Sequence, residues 1–148
     1  MKAPFLIGRL IFGGFFLYNG INHLLNRKQM APYVGEKGVP APELAVALTG
    51  VPLIMGGASL LLGVKPKLGA LAILGFLAGV SPVMHDFWHK EDANERMNDM
   101  VNFSKNLALA GGALALMGVE EPWEASVSGG RRSKLGNRVK ALGRKLAA

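Results

Sequence analysis

The sequence predicts an all-α integral membrane protein: a four-helix transmembrane bundle in residues 1–119, then a basic amphipathic helix in residues 120–148. Three observations lead to it. Half of the 148 residues are hydrophobic and only 18% are charged. Four apolar stretches come close to the roughly 20 residues that a helix needs to cross hydrocarbon. The net charge of +7 is uneven, with seven Lys and Arg and no acid from Arg131 onward. A chain of this length suits one unit, not two domains. The absence of cysteine removes thiol–disulfide chemistry, thiolate-bound metals and iron–sulfur clusters held by this chain alone.

The first span covers residues 4–25, apolar apart from Arg9, Asn19, Asn22 and His23. A secretory signal would have an apolar core of about 7–15 residues with a small-residue cleavage site behind it. Asn26, Arg27 and Lys28 follow instead, so the helix is expected to be retained. Residues 26–42 carry Pro32, Gly35, Gly38, Pro40 and Pro42 and read as a loop. Pro42 and Glu43 open the second span, residues 44–64, since proline suits the first helical turn and an acid suits the positive end of the helix dipole. Pro52 should kink this span, and Gly50, Gly56, Gly57 and Gly63 give it a close-packing surface. Lys65, Pro66 and Lys67 make a turn. The third span, residues 68–88, places Gly75 and Gly79 four apart, a spacing that lets helix backbones approach. Pro82 adds a kink one turn before His85. A charged connection, residues 89–99, leads to the fourth span, residues 101–119.

Orientation follows from Lys and Arg near the span ends. With the N-terminus cytoplasmic, that side holds ten and the opposite side five, Arg9 and Lys105 being left out as residues within spans. Seven of the ten lie between Arg131 and Lys145, so the tail sets the expectation that both termini are cytoplasmic. In that tail Leu135, Val139, Leu142 and Leu146 fall on one helical stripe, with basic residues over the remaining surface. This reads as a helix lying on anionic lipid. No aromatic residue is interleaved with the charges, so nucleic acid is not expected as a partner. Arg9, about one turn inside the cytoplasmic end of its helix, is expected to snorkel to lipid phosphate. Its alternative is a contact with a partner subunit.

The chemistry gathers where the third and fourth spans meet. His85, Asp86 and His89 end one apolar segment, and Asn102, Lys105 and Asn106 begin the next. An antiparallel hairpin puts both sets at one membrane depth, with Asp86 and Lys105 as natural partners. His23 and, one turn deeper, Asn19 reach the same depth from the first helix. Ionisable groups in a span are functional candidates by default. The structural alternative is an ion pair, asparagines that staple helices, and His85 and Trp88 as interfacial anchors. His85 and His89 stand four apart, a spacing that can hold zinc, and His23 with His85 can in principle hold a haem. No metal is expected, because such pairs near interfaces commonly hold none.

One resemblance adds direction. His85-Asp86-Phe87-Trp88, a short acidic loop, then Asn102-Phe103-Ser104-Lys105-Asn106-Leu107-Ala108-Leu109-Ala110-Gly111-Gly112 resembles the DoxX family of small four-helix membrane proteins. Weaker echoes surround Arg9 and Gly20 and the run from Gly50 to Gly63. A lysine common a few residues after the Gly20 position is replaced by Asn22 and His23. The resemblance implies a bacterial inner-membrane protein, similar to the membrane subunit of a thiosulfate:quinone oxidoreductase or to anchors in oxidative-stress complexes. The expectation is therefore a quinone-interacting subunit of a redox complex that serves a soluble or membrane redox partner. His85, Asp86 and Lys105 are its candidate catalytic residues. Asn19, His23, Trp88, Asn102 and Asn106 line its quinone site, with Trp88 and Phe87 as the cap. The alternative is a non-enzymatic anchor for a soluble partner. A solute or proton pathway would need a homo-oligomer.

Overall fold

The computed structural model describes residues 3–123 and 125–127. Five helices make up this part of the chain: α1 (Ala3–Leu25), α2 (Arg27–Glu36), α3 (Pro42–Leu62), α4 (Pro66–Met84) and α5 (Ala93–Met117). A 3-10 turn, Phe87–His89, joins the last two. The described residues contain no strand. Three segments are long and apolar enough to cross a membrane: α1, α3, and α4 with its continuation to His89. The all-α membrane bundle stands. The expected basic helix in residues 131–148 lies outside the described residues.

α1 packs along α3, α3 against α4, and α4 against α5. Phe12 of α1 meets Gly112 of α5 and closes the ring. Phe16, Leu53, Leu60, Ile73, Leu77 and Ala113 fill the centre. Without a hydrophobic drive inside lipid, helices associate by close packing over small residues. The α1–α3 crossing shows this at two levels. A Cβ on Gly20 would stand 2.7 Å from the Ile54 amide nitrogen and 2.8 Å from the Gly50 carbonyl. One on Gly57 would run into the Leu17 backbone and stand 2.7 Å from the Gly13 carbonyl oxygen. Gly56 and Gly69 do the same between α3 and α4. Gly75 and Gly79, expected to pack a helix, have no atom within 4 Å of a built Cβ. They face a cavity instead.

The stretch read as a loop, residues 26–42, contains helix α2. Pro32 removes only one internal hydrogen bond, and the Asn26 carbonyl starts the helix by accepting from Gln29 and Met30 at 3.0 and 3.1 Å. Met30, Tyr33 and Val34, spaced as one helical stripe, are laid on the bundle. Arg27 Nε donates to Glu43 Oε1 at 3.1 Å and ties the start of α2 to the start of α3. Gly38 and Ala41, both with positive φ, then turn the chain into α3.

At the opposite end Arg9 does not reach lipid. It is 2% exposed, and its Nη2 donates to the carbonyls of Leu61 at 2.9 Å and Ala125 at 3.3 Å. The guanidinium lies 5.5 Å from the centre of the Trp123 ring, which also takes the edge of Phe5 at 5.1 Å. A desolvated cation over indole is stabilised by the ring quadrupole. The chain after α5 supplies the company that lipid phosphate was expected to give.

Candidate functional site

A cavity of about 880 Å³ opens between α1, α3, α4 and α5 and is covered by α2. Its wall is mostly apolar: Phe15, Leu53, Phe76 and Val83 from the long helices, Met30 and Tyr33 from the cover. Four of the expected site residues, Asn19, His23, His85 and Asn106, reach it from three different helices or their ends. Gly75 and Gly79 leave its α4 wall low.

Two of these polar groups have settled partners. Asn19 Nδ2 donates to the Phe15 carbonyl at 2.8 Å within its own helix. Thr49 gives its hydroxyl hydrogen to the Val46 carbonyl at 2.8 Å, so it must accept from His23 Nδ1, 3.0 Å away. That arrangement puts the proton of a neutral His23 on Nδ1 and leaves Nε2 as the acceptor. His85 follows the last residue of α4, so its side chain is not on the helix face that continues to His89. The pair therefore lacks the i,i+4 helical geometry that zinc would use. Among the described residues no three His, Asp or Glu side chains are placed to hold a metal ion.

Behind His85 lies a cluster that pairs Asp86 differently from the expectation. Lys37, just after α2, donates to Asp86 Oδ1 at 2.7 Å and to Asp99 Oδ2 at 3.4 Å. His85 Nδ1 stands 3.4 Å from Asp99 Oδ1. The Lys37 and Asp99 side chains are 11% and 8% exposed. Lys105 is not in the cluster. It is exposed on α5, and its Nζ reaches only Asn102 Oδ1 of the same helix, at 3.4 Å. One reason is the helix phase. Asp99 is six residues before Lys105, which sets the two about 120° from facing the same side. Asn102 lies towards Asn98 at 3.5 Å, and Trp88 meets Phe87 and Phe103 edge to face at 5.0 and 5.8 Å and does not cap the cavity. Of the expected residues, Asp86, Lys105, Trp88 and Asn102 thus line no part of the cavity.

Lys37 and Asp99 were not visible as site residues because each sits in a segment that reads as a polar connection. A helical stripe from Met30 through Tyr33 and Val34 to Lys37 was the available signal, masked by Pro32 and Gly35. Burial alone would push the Lys37 ammonium down. Its hydrogen bond to Asp86 and the negative charges of Asp99 and Asp86 outweigh this and hold it above its ordinary value of 10.5. A cation with a raised folded pKa contributes stability that is complete below 10.5 and lost as pH rises through the folded value. Thermal unfolding in detergent should therefore show an alkaline fall in stability that Lys37→Met lacks. Equal alkaline profiles for the two proteins would refute the pairing.

No curated protein and no solved structure matches this sequence. The DoxX family model matches residues 5–86, more than half of the chain. The match takes in α1 to α4 and ends at Asp86, so the α5 motif from Asn102 to Gly112 lies beyond it. Matched over more than half of its length, this chain belongs to the DoxX family.

Proposed function

We propose that the protein is the quinone-interacting membrane subunit of a redox complex, and that the cavity beneath α2 is its quinone site. The observation that carries this reading is the cavity itself. Its volume, about 880 Å³, falls in the roughly 300–1,000 Å³ range of small-molecule sites, which are typically apolar with a few placed polar groups. A quinone needs hydrogen-bond donors for its carbonyl oxygens and an apolar slot for ring and tail. The Asn106 amide and the His85 ring are donors on the wall, and His23, with its acceptor nitrogen, suits a quinol hydroxyl. The chain has no cysteine and its described residues hold no cluster of three metal-holding side chains, which supports electrons reaching the site from a partner. We place the protein in a bacterial inner membrane with both termini cytoplasmic. The Lys and Arg balance supports this, and burial of Lys37 in an ion cluster removes one cation from the opposing side.

The test is organic extraction of protein purified in mild detergent, with quinone measured by ultraviolet spectrum and mass. Wild type is expected to retain near-stoichiometric quinone above bulk lipid. Gly75→Leu and Gly79→Leu, whose Cβ atoms would enter the cavity with no other atom within 4 Å, should fold and lose at least about nine-tenths of it, a tenfold change worth 1.4 kcal/mol of affinity. Quinone at bulk-lipid level in wild type sinks the reading. Exposed Lys105 on the outer face of α5 favours the second reading, an anchor that docks a partner. A soluble protein that stays bound without any quinone would establish it.

A further inference from the structure

His85 is the only member of the ion cluster that reaches the cavity wall among the described residues. Behind it ionisable groups follow one another to the membrane face without a gap wider than 3.6 Å. Asp99 stands 3.4 Å from His85, Lys37 3.4 Å from Asp99, Asp86 2.7 Å from Lys37, and His89 3.6 Å from Asp86. Exposure rises along the last steps, from 8% at Asp99 to 73% at His89. Three parts of the chain contribute: α5 gives Asp99, the turn after α2 gives Lys37, and the segment after α4 gives His85, Asp86 and His89. On the same face Lys90 pairs with Glu95 at 3.1 Å, outside the row.

A purely structural ion cluster has little use for this composition. Burying charge costs more than packing apolar groups of similar size unless every charge is matched. Here one lysine faces two carboxylates, so the buried set is one positive charge short of neutrality. A proton held among its members completes the balance. An imidazole stands at each end, one in the cavity and one in water.

We propose that His85, Asp99, Lys37, Asp86 and His89 form a proton path between the cavity and the membrane face, an inference that rests on the quinone reading above. A quinone that takes two electrons from a reduced partner donor must also take two protons to become quinol. His85 gives its Nε2 proton to a quinone oxygen as Nδ1 takes one from protonated Asp99, and the ring then turns over to bring that proton to the cavity side before the second passage. Asp99 is recharged through the lysine: the ammonium releases one proton to the Asp99 carboxylate as it takes one from protonated Asp86, and keeps its charge. Asp86 is refilled from His89 or water. Two passages complete the quinol.

The experiment uses the full chain in phosphatidylcholine–phosphatidylglycerol nanodiscs loaded with decylubiquinone. Bound quinone is measured in every sample. Dithionite, itself oxidised to sulfite, supplies the electrons, and quinol formation per bound quinone is timed in light and heavy water. Asp99→Asn leaves Lys37 facing one carboxylate, so it creates no unbalanced charge and should fold. Its rate should fall by about 100-fold, the low end for loss of a positioned proton-transfer group, and become slower still in heavy water. Asp86→Asn should do the same at another link, while Asp99→Glu should recover most of the rate. Lys90→Gln should match wild type. Wild-type rates without a solvent isotope effect in both Asn variants, with quinone bound, overturn the path and leave the quinone site standing. Wild type that binds no decylubiquinone removes both.

Discussion

Gly57→Ala is expected to destabilise the bundle by about 2–3 kcal/mol, the upper part of the range for overpacking a tight site. Two effects compete. Alanine in place of a mid-helix glycine favours the helix by up to about 1 kcal/mol. Against this, the new methyl meets the Leu17 backbone and the Gly13 carbonyl oxygen of α1, neither of which can turn aside as a side chain would. The helices must part along their whole crossing, and the contacts of Phe16 and Leu60 loosen with them. Packing therefore wins. A change of that size lowers the unfolding midpoint by roughly 5–10 °C in a chain of this length. Gly75→Ala is the matched control, since its methyl enters open space. It should hold or raise the midpoint. Equal midpoints for the two variants would show that α1 and α3 do not depend on this contact.

Lys37→Met should cost about 2 kcal/mol, below the roughly 3–5 of removing one partner of a fully buried ion pair and above an exposed one. The discount reflects the residual exposure of the cluster. Without the ammonium, Asp99 keeps a carboxylate at 8% exposure with no lysine beside it. Asp99→Asn should cost clearly less, because one lysine and one carboxylate remain. Adding Asp99→Asn to Lys37→Met should restore part of the loss, a coupling read by a double-mutant cycle. Lys105→Met should stay within about 0.5 kcal/mol of wild type, as befits an exposed residue with one weak contact in its own helix. Denaturation in detergent decides the order. A larger loss for Lys105→Met than for Lys37→Met would return the ion pair to the α4–α5 hairpin.

The long helices were legible because apolar length is a one-dimensional property, and Pro42 and the glycines after it mark the start and the crossing of α3; Pro66, read as part of a turn, opens α4 instead. The site was legible only in part. His23, His85, Asn19 and Asn106 were found because polar groups in apolar runs stand out. Lys37 and Asp99 lie in polar segments, where charge is unremarkable until the fold buries it. Lys105 shows the reverse error: its depth along α5 was read, but its side of the helix was not. Spacing alone likewise could not say whether Gly75 and Gly79 meet a helix or a void.

The Arg9 contact has a consequence for how the protein is made. Ala125, whose carbonyl accepts from Arg9, is 116 residues further along the chain, and Trp123 is nearly as far. During synthesis α1 enters the membrane long before either exists. An arginine costs about 2.5–3.5 kcal/mol at the centre of a span and less near an end, where it snorkels, so Arg9 weakens the first helix's insertion by part of that cost until its partners exist. Its packing on α3 and the Leu61 bond can form earlier, but the arginine's cover is complete only when Trp123 and Ala125 fold back over it. Quality control that samples the chain before that moment meets a different protein from the one that leaves.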